Sequence, residues 1–259
     1  MDGRAAPVDE HALATLGARL RDARNVMVLT GAGISTESGI PDFRGPNGIW
    51  TKDPKAERLS SLQHYMADPE LRKHAWQTRL DHPGWAAEPN PAHLALAELE
   101  RKGKPMTLVT QNIDGLHLKA GNSSDVVIEI HGTMRDVVCM SCGERAPMQR
   151  ALDRVRAGEE DPECRSCGGI LKSATISFGQ NLVREDLDRA YSAAGAVDLF
   201  MAAGTSLTVF PVAQLPQVAL DAGADVAILN AEPTPFDALA TWVLRGPLSL
   251  SLPRIVGFL

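Results

Sequence analysis

The 259-residue chain has few of the residues that mark several large classes of protein. Its four cysteines are too few for a small disulfide-stabilised secreted scaffold. No apolar run approaches the ~20 residues that a membrane-spanning helix needs. Positive charge is not in excess either, because 26 Lys and Arg stand against 32 Asp and Glu. This balance argues against nucleic-acid binding as the main function.

The first ten residues lack the basic start and apolar core of a signal peptide. We therefore expect a cytoplasmic protein with no attachment to a membrane and no nucleic-acid partner. The oligomeric state is left open, with a monomer favoured. In the cytoplasm, paired cysteines more often bind a metal than form disulfides.

The cysteines form two pairs, Cys139-x-x-Cys142 and Cys164-x-x-Cys167. Two such knuckles can place four thiolates tetrahedrally around Zn²⁺. Because four protein ligands saturate the ion, it would be structural rather than catalytic. The alternatives are buried free thiols or a redox pair. The pattern favours one structural zinc ion, since every cysteine is used.

Short apolar runs alternate with helical patterns along the chain, which is typical of an α/β fold built on a Rossmann-like, doubly wound parallel sheet. We predict strands at 25–30, 106–110, 126–130, 197–203, 225–230 and 241–245, and helices at 12–23, 69–80, 92–102 and 210–222.

Three units are predicted from composition. The sheet domain comprises residues 11–46, 90–132 and 173–259. A helical module with a flexible cofactor loop spans 47–89, and the early part of the proline-rich stretch 41–91 is expected to be mobile. The cysteine module spans 133–172 and reads as an insertion.

A glycine turn, Gly31-Ala32-Gly33, follows the first predicted strand. Such a turn lets backbone N–H groups approach a pyrophosphate at a helix N-terminus. Thr36 replaces the third glycine of the usual fingerprint, so a purely structural turn is an alternative. Two later strand ends, Gly204-Thr205-Ser206 and Asn230, favour a dinucleotide site because parallel strands present ligand groups there.

Polar side chains also follow the strand at 106–110, in the run Gln111-Asn112-Ile113-Asp114. They are costly to bury without partners, which favours ligand contacts. The alternative is that they cap the next helix. His131 ends an apolar strand, where an imidazole can act as a base near neutral pH. In the loop Asp42-Phe43-Arg44, Phe43 either packs inside a local salt bridge or covers one face of a bound ring.

Together these motifs resemble the sirtuins of bacterial type, which are NAD⁺-dependent protein lysine deacylases. The matching segments follow the family's order across residues 15–255. They are 31–35, 39–45, 110–117, 131–132, both cysteine pairs, 177–180, 204–206 and Asn230.

The resemblance implies that the Rossmann domain binds NAD⁺ and that NAD⁺ and acyl-lysine meet in a cleft between the modules. It implies catalytic roles for His131 and Asn112. The implied NAD⁺ contacts are Gly31, Ala32, Gly33, Ser35, Asp42, Phe43, Arg44, Gln111, Asn112, Ile113, Asp114, Gly204, Thr205, Ser206, Asn230, Ala231, Glu232 and Leu248.

In such enzymes the acyl oxygen attacks the ribose C1′ as nicotinamide leaves. A histidine matching His131 then deprotonates a ribose hydroxyl, which attacks the imidate. The products are free lysine, nicotinamide and O-acyl-ADP-ribose. The partners are therefore acylated lysine proteins or peptides.

The peptide is expected to bind as an added strand between the loops at 175–178 and 207–209, near Ile176, Phe178 and Thr208. Sirtuins that remove succinyl or malonyl groups carry Tyr-x-x-Arg, and the matching stretch here is Trp76-x-x-Arg79. Residues i and i+3 share a helix face, so Arg79 could pair with an acyl carboxylate. The alternative is a surface arginine beside a packed tryptophan. We predict deacetylation and keep desuccinylation as a hypothesis.

The sequence leaves two alternative functions open. One is transfer of ADP-ribose to a protein side chain, which keeps NAD⁺ but changes the acceptor. The other is a non-catalytic NAD-sensing module whose zinc-binding part recognises a partner.

Overall fold

The computed structural model of the protein describes residues 9–42, 48 and 60–259. Its α-helices are α1 Glu10–Asp22, α2 Leu62–Ala67, α3 Pro69–Leu80, α4 Pro91–Arg101, α5 Leu116–Ala120, α6 Met148–Arg156, α7 Arg184–Ala194, α8 Leu215–Asp221 and α9 Leu248–Val256. Its strands are β1 Val26–Thr30, β2 Met106–Thr110, β3 Val127–Glu129, β4 Gly132–Cys139, β5 Arg145–Pro147, β6 Leu171–Thr175, β7 Leu199–Ala203, β8 Asp225–Leu229 and β9 Trp242–Leu244.

Side-chain caps begin several of these helices at polar residues that precede apolar, periodic runs. The carboxylate of Asp68 accepts from the N–H groups of Glu70 and Leu71, which starts α3 at the proline predicted for it. Asn90 and His93 form a reciprocal capping box at α4. In the described part of the chain, no helix is both long and apolar enough to cross a bilayer.

The predicted helix at 210–222 is too long. The structure has a 3₁₀ turn at Val212–Gln214 and then α8, in which Pro216 occupies the first turn. A proline has no N–H to donate and fits best at a helix start, so the α-helix begins late.

Six parallel strands form the main sheet, in the order β3-β2-β1-β7-β8-β9. Counted along this sheet alone, the order is 3-2-1-4-5-6, which is that of Rossmann dinucleotide-binding domains. The predicted fold is therefore confirmed. The strand order reverses between β1 and β7, whose last residues, Thr30 and Ala203, are in register. Ligands bind at such a switch point, outside the carboxyl ends of the strands.

The two faces of the sheet bury different helices. Val26 and Val28 of β1 point into a core shared with α1, α4 and α9. Met27 and Leu29, the alternate residues of β1, pack against α7 and α8. Because both faces are covered, the strand is buried along its whole length, as the unbroken apolar run predicted.

A second, antiparallel sheet has the order β5-β4-β6 and carries the cysteines. The helix α6 lies against it, and Trp76 of α3 joins the same core beside Cys139 and Leu152. The buried Arg72 of α3 donates to Asp161 at 2.9 Å across this interface. The helical segment and the cysteine segment thus share one core, which we call the small unit. The division of the chain into three units stays a prediction.

Candidate active site

Two glycine turns meet at the switch point of the main sheet. The N–H of Gly31 donates to Ala203 O at 3.2 Å, and the N–H of Gly33 donates to Gly204 O at 2.8 Å. A Cβ on Gly33 would lie 2.8 Å from Gly204 Cα, and one on Gly31 would lie 2.7 Å from Thr205 Cβ. Close approach of the two turns therefore requires these glycines, whatever they also bind.

Four polar residues form a buried group beneath the turns, which we call the Ser35 cluster: Ser35, His93, Asn112 and Asp114. Ser35 Oγ donates to Asp114 Oδ2 at 2.8 Å and accepts from Asn112 Nδ2 at 3.0 Å. Asn112 Nδ2 also donates to Gly31 O at 3.1 Å. The cluster thus ties the polar loop after β2 to the glycine turn after β1.

The hydrogen bonds determine the tautomer of His93. Because the single Ser35 hydroxyl hydrogen goes to Asp114, Ser35 Oγ can only accept from His93 Nε2, 3.4 Å away. His93 Nδ1 accepts from the Asn90 N–H. Burial lowers the pKa of His93 to about 4, so the ring is neutral. His117 lies beside it and bonds to Thr30 Oγ1, so both histidines have structural hydrogen bonds.

The polar loop after β2 caps a helix and bonds to two other segments. Asp114 Oδ1 accepts from the Leu116 N–H at the start of α5, as the capping alternative required. Ile113 O accepts from the Met134 N–H at 2.9 Å. Gln111 Nε2 donates to Thr205 Oγ1 at 2.8 Å and so links this loop to the second glycine turn.

His131 lies between the polar loop and the start of the second sheet. Its Nδ1 is 3.1 Å from Gln111 O, and a carbonyl only accepts, so Nδ1 carries the ring proton. Nε2 of the neutral ring is then an available base. Burial lowers the pKa of His131 below its ordinary value, while the bond to Gln111 opposes the shift. His131 O accepts from the Ile176 N–H at 2.7 Å, which joins it to the predicted peptide loop.

The remaining predicted dinucleotide contacts lie mostly at the carboxyl ends of β7 and β8. Asn230 Nδ2 donates to Glu232 O at 2.8 Å, with Ala231 and Glu232 exposed. Ser206 and Thr208 are joined through their hydroxyls at 2.8 Å. Leu248 is buried at the start of α9. Asp42 is half-buried, whereas Phe43 and Arg44 lie outside the described residues.

The four cysteine sulfurs lie within 4.8 Å of one another. Cys139 and Cys167 are 3.5 Å apart, and Cys142 and Cys164 are 3.8 Å apart. Tetrahedral zinc with Zn–S bonds of ~2.3 Å separates its sulfurs by about 3.8 Å, whereas a disulfide needs ~2.05 Å. The backbone N–H groups of Ser141 and Cys142 point at Cys139 Sγ and suit a thiolate. The donor set therefore fits a structural zinc ion.

A second buried polar group lies in the small unit, and we call it the Arg79 cluster: Tyr65, Trp76, Arg79 and Lys172. The Arg79 guanidinium lies over the rings of Tyr65 and Trp76, 5.5 and 5.2 Å from their centroids. Trp76 is fully buried, and Arg79 is not the surface arginine of the alternative reading. Its Nη1 and Trp76 Nε1 are buried without a hydrogen-bond partner among residues 9–42 and 60–259.

Lys172 is the second cation of the Arg79 cluster, and the sequence reasoning missed it. Only 2% of Lys172 is exposed, and its Nζ donates to Ser173 O and Thr175 O. Burial and the charge of Arg79 lower its pKa to about 8. No carboxylate forms an ion pair with Arg79 or Lys172 in the part of the chain that the structure describes. The sequence gives little signal for its burial, because this strand reads Leu-Lys-Ser-Ala-Thr and lysine is almost never fully buried.

The strand order and the paired glycine turns define a dinucleotide-binding protein of the Rossmann class, and a separate three-stranded sheet carries the four clustered cysteines. A family model described as "Sir2 family" matches residues 31–211. The chain belongs to the Sir2 family.

Relatives and solved structures agree along most of the chain. It is 51% identical over 231 residues to the "NAD-dependent protein deacetylase 2" of Streptomyces coelicolor, covering 89% of this chain and 96% of that one. It is 41% identical to the "NAD-dependent protein deacetylase" of Saccharolobus solfataricus, covering 89% and 90%. A solved structure described as "Sir2-p53 peptide-NAD+" superposes with a TM-score of 0.84 at 31% identity, covering 96% and 98%.

Proposed function

We propose that this protein is an NAD⁺-dependent protein lysine deacetylase that consumes NAD⁺ as a second substrate. Similar proteins bear that name, and one solved neighbour is described as "Sir2 bound to acetylated peptide". The observation that carries the proposal is the position of His131. Its Nδ1 is bonded to Gln111 O of the polar loop at residues 111–114, which leaves Nε2 as the unprotonated ring nitrogen, and its carbonyl is bonded to the loop expected to bind the peptide.

The residues of the Ser35 cluster fit a nicotinamide amide. Asn112 Nδ2 is engaged by Gly31 and Ser35, so its Oδ1 is turned away from these contacts and can accept from an amide N–H. NAD⁺ would supply the electrophilic ribose carbon from which nicotinamide departs. The chain's own contribution is to hold the amide rigidly and to accept a ribose hydroxyl proton at His131 Nε2.

Substitution of His131 tests this assignment. His131→Ala should lower deacetylation of an acetyl-lysine peptide about 10²- to 10⁴-fold, the usual range for a lost general base. Exchange of labelled nicotinamide into NAD⁺ should fall much less, because departure of nicotinamide precedes the proton transfer. His74→Ala, on the exposed face of α3, is the control and should change neither rate. Equal loss of both reactions would contradict the assigned role.

The pH profile gives an independent test. Catalysis requires the neutral imidazole, and burial lowers the pKa of His131. The acid limb of kcat/KM should therefore have its midpoint below the ordinary histidine value of about 6.5.

Product analysis distinguishes this function from the two alternative functions. O-acetyl-ADP-ribose supports deacetylation, ADP-ribosylated protein supports the transferase, and tight NAD⁺ binding without turnover supports a sensing module.

The Arg79 cluster favours a second activity on acidic acyl groups such as succinyl-lysine. A buried cation without a counter-ion is costly, and an acyl carboxylate would supply the missing partner. The indole N–H of Trp76 is unpartnered in the same place among the described residues. It could donate where the related motif has a tyrosine.

The test compares succinyl- and acetyl-lysine peptides. Arg79→Gln should lower kcat/KM for the succinyl peptide about 10- to 100-fold relative to the acetyl peptide, since a charge-assisted bond is lost. The matched control is Arg156→Gln, an exposed arginine on α6. An unchanged ratio in Arg79→Gln would remove this second activity and leave the first untouched.

A further inference from the structure

A cavity of about 370 Å³ lies behind the strand that leads to His131. It is bounded by the free edge of β3 and by the face of the second sheet that carries Val138 and Ala174. Leu118 of α5 and Val183 at the start of α7 flank it. None of the predicted dinucleotide contacts lines the cavity. It is therefore separate from the glycine turns and the Ser35 cluster.

Apolar and polar residues share the walls of the cavity, and part of the apolar surface is exposed. Val127, Ile128, Val138 and Ile176 contribute aliphatic surface. Leu118 and Val183 are 40% and 51% exposed. A volume in this range accommodates a small organic molecule. The shape and lining suit an apolar body of a few carbon atoms.

One half-buried carboxyl, that of Glu129, gives the cavity a polar anchor. It has no hydrogen bond or ion pair within residues 9–42 and 60–259. The two arginines near it are engaged elsewhere: Arg145 pairs with Asp136 at 3.1 Å, and Arg135 donates to Asp114 O. The half-buried Glu129 carboxyl is thus not paired with a cation among the described residues, and partial loss of water makes its ionised form less favourable.

The surrounding charges make the lack of a cation more costly. Burial, Asp114 and Asp136 raise the pKa of Glu129 to about 7, against the opposing effect of Arg135 and Arg145. Asp186 of α7 also lines the cavity, with its nearest cation Arg189 at 3.7 Å. Two carboxylates, those of Glu129 and Asp186, therefore line this space, whereas the lining cation Arg145 is paired with Asp136. An incoming cation would be attracted to the two carboxylates.

We propose that this cavity is a second small-molecule site that binds a primary amine with a short apolar body, its ammonium group paired with Glu129. The amine would pack against the aliphatic walls and cover Leu118 and Val183. It would also contact the reverse side of the segment that positions His131, because Gly132 and Ile176 form part of the lining.

Three ligands of equal length test the site by isothermal titration calorimetry: n-hexylamine, n-hexanol and n-hexanoate. Hexylamine should bind about 10- to 100-fold more tightly than hexanol, the range for a hydrogen bond to a charged group, and hexanoate should not bind. Near pH 6.5 hexylamine should also release protons, because pairing favours the ionised form of Glu129. The binding heat would then depend on the ionisation enthalpy of the buffer.

Glu129→Gln should abolish both the preference for the amine and the proton release. The matched control is Glu185→Gln, an exposed glutamate at the start of α7 that does not line the cavity, and it should leave both unchanged. Thermal unfolding of the free proteins verifies that each variant is folded. Absence of saturable binding at millimolar amine, or equal binding by Glu129→Gln, overturns the proposal.

Discussion

The Ser35 cluster and the Arg79 cluster are both buried polar groups, but they are completed in different ways. In the first, hydroxyl, amide, imidazole and carboxylate bond to one another across segments that lie as far apart in sequence as Ser35 and Asp114. In the second, Arg79 Nη1 and Trp76 Nε1 have no partner in the described structure, and two cations lie together.

This difference separates a preorganised site from one that needs a ligand. A fully bonded cluster holds its side chains in one geometry before any ligand binds, which lowers the ordering cost of binding. An unpaired buried guanidinium is costly to the free protein, and a ligand carboxylate can offset that cost. We therefore expect the Ser35 cluster to stabilise the fold and the Arg79 cluster to reduce its stability.

The substitution with the largest expected effect removes one of the four predicted zinc ligands of the small unit. Cys164→Ala should cost the small unit the zinc-binding free energy, of the order of 10 kcal/mol. Amide hydrogen exchange should then lose protection in β4–β6 and α3, while the six-stranded sheet stays protected. Nicotinamide release should fall at least about 100-fold, since His131 is bonded to the second sheet through Ile176. Uniform loss of protection across both sheets would show that the two units unfold together.

Two arginines of α3 allow a matched comparison, because Arg72 forms an ion pair with a carboxylate and Arg79 does not. Arg72 bonds to Asp161 and to the carbonyls of Tyr65 and Met66, so Arg72→Met should lower the free energy of unfolding by about 3–5 kcal/mol. Arg79→Met should leave it unchanged or raise it. Urea denaturation measures both. A large destabilisation by Arg79→Met would mean that the guanidinium is stabilised by its surroundings.

Ser35→Ala tests the bonded cluster directly. It leaves Asp114 Oδ2, Asn112 Nδ2 and His93 Nε2 each short of a partner, so the free energy of unfolding should fall by about 1–3 kcal/mol. The rate of nicotinamide exchange into NAD⁺ should fall as well, because Asn112 loses its fixed orientation. Thr36→Ala, one residue further on an exposed turn, is the control for the local substitution.

The smallest expected effect is a change in the pH dependence of stability at Glu129. Its pKa is raised to about 7 from an ordinary value of 4.5, so the folded protein binds more protons than the unfolded chain between these values. Stability should therefore decrease as pH rises from 4.5 to 7, by about 1–2 kcal/mol after allowance for partial exposure. Glu129→Gln should remove this contribution. If the free energy of unfolding had the same pH dependence in wild type and variant, Glu129 would not be the group that titrates.

Much of the fold was predictable because its determinants are local. The apolar run of β1 and the proline start of α3 lie where the sequence placed them. The predicted helix at 210–222 is too long, because Pro216 fits only the first turn of α8. The burial of Arg79 and the presence of Lys172 beside it were not predictable from local pattern. Their contact joins α3 to β6, almost a hundred residues away.

By itself the sequence determined the strand and helix types, the glycine turns and the two cysteine knuckles. Each depends on spacing within a few residues, where backbone geometry leaves few choices. Only the tertiary structure decided that His131 carries its proton on Nδ1, that Ser35 joins three other side chains, and that Arg79 and Glu129 form no ion pair within the described chain. Those outcomes depend on which groups, distant in sequence, lie together in the low-dielectric interior. Local sequence patterns do not specify these contacts.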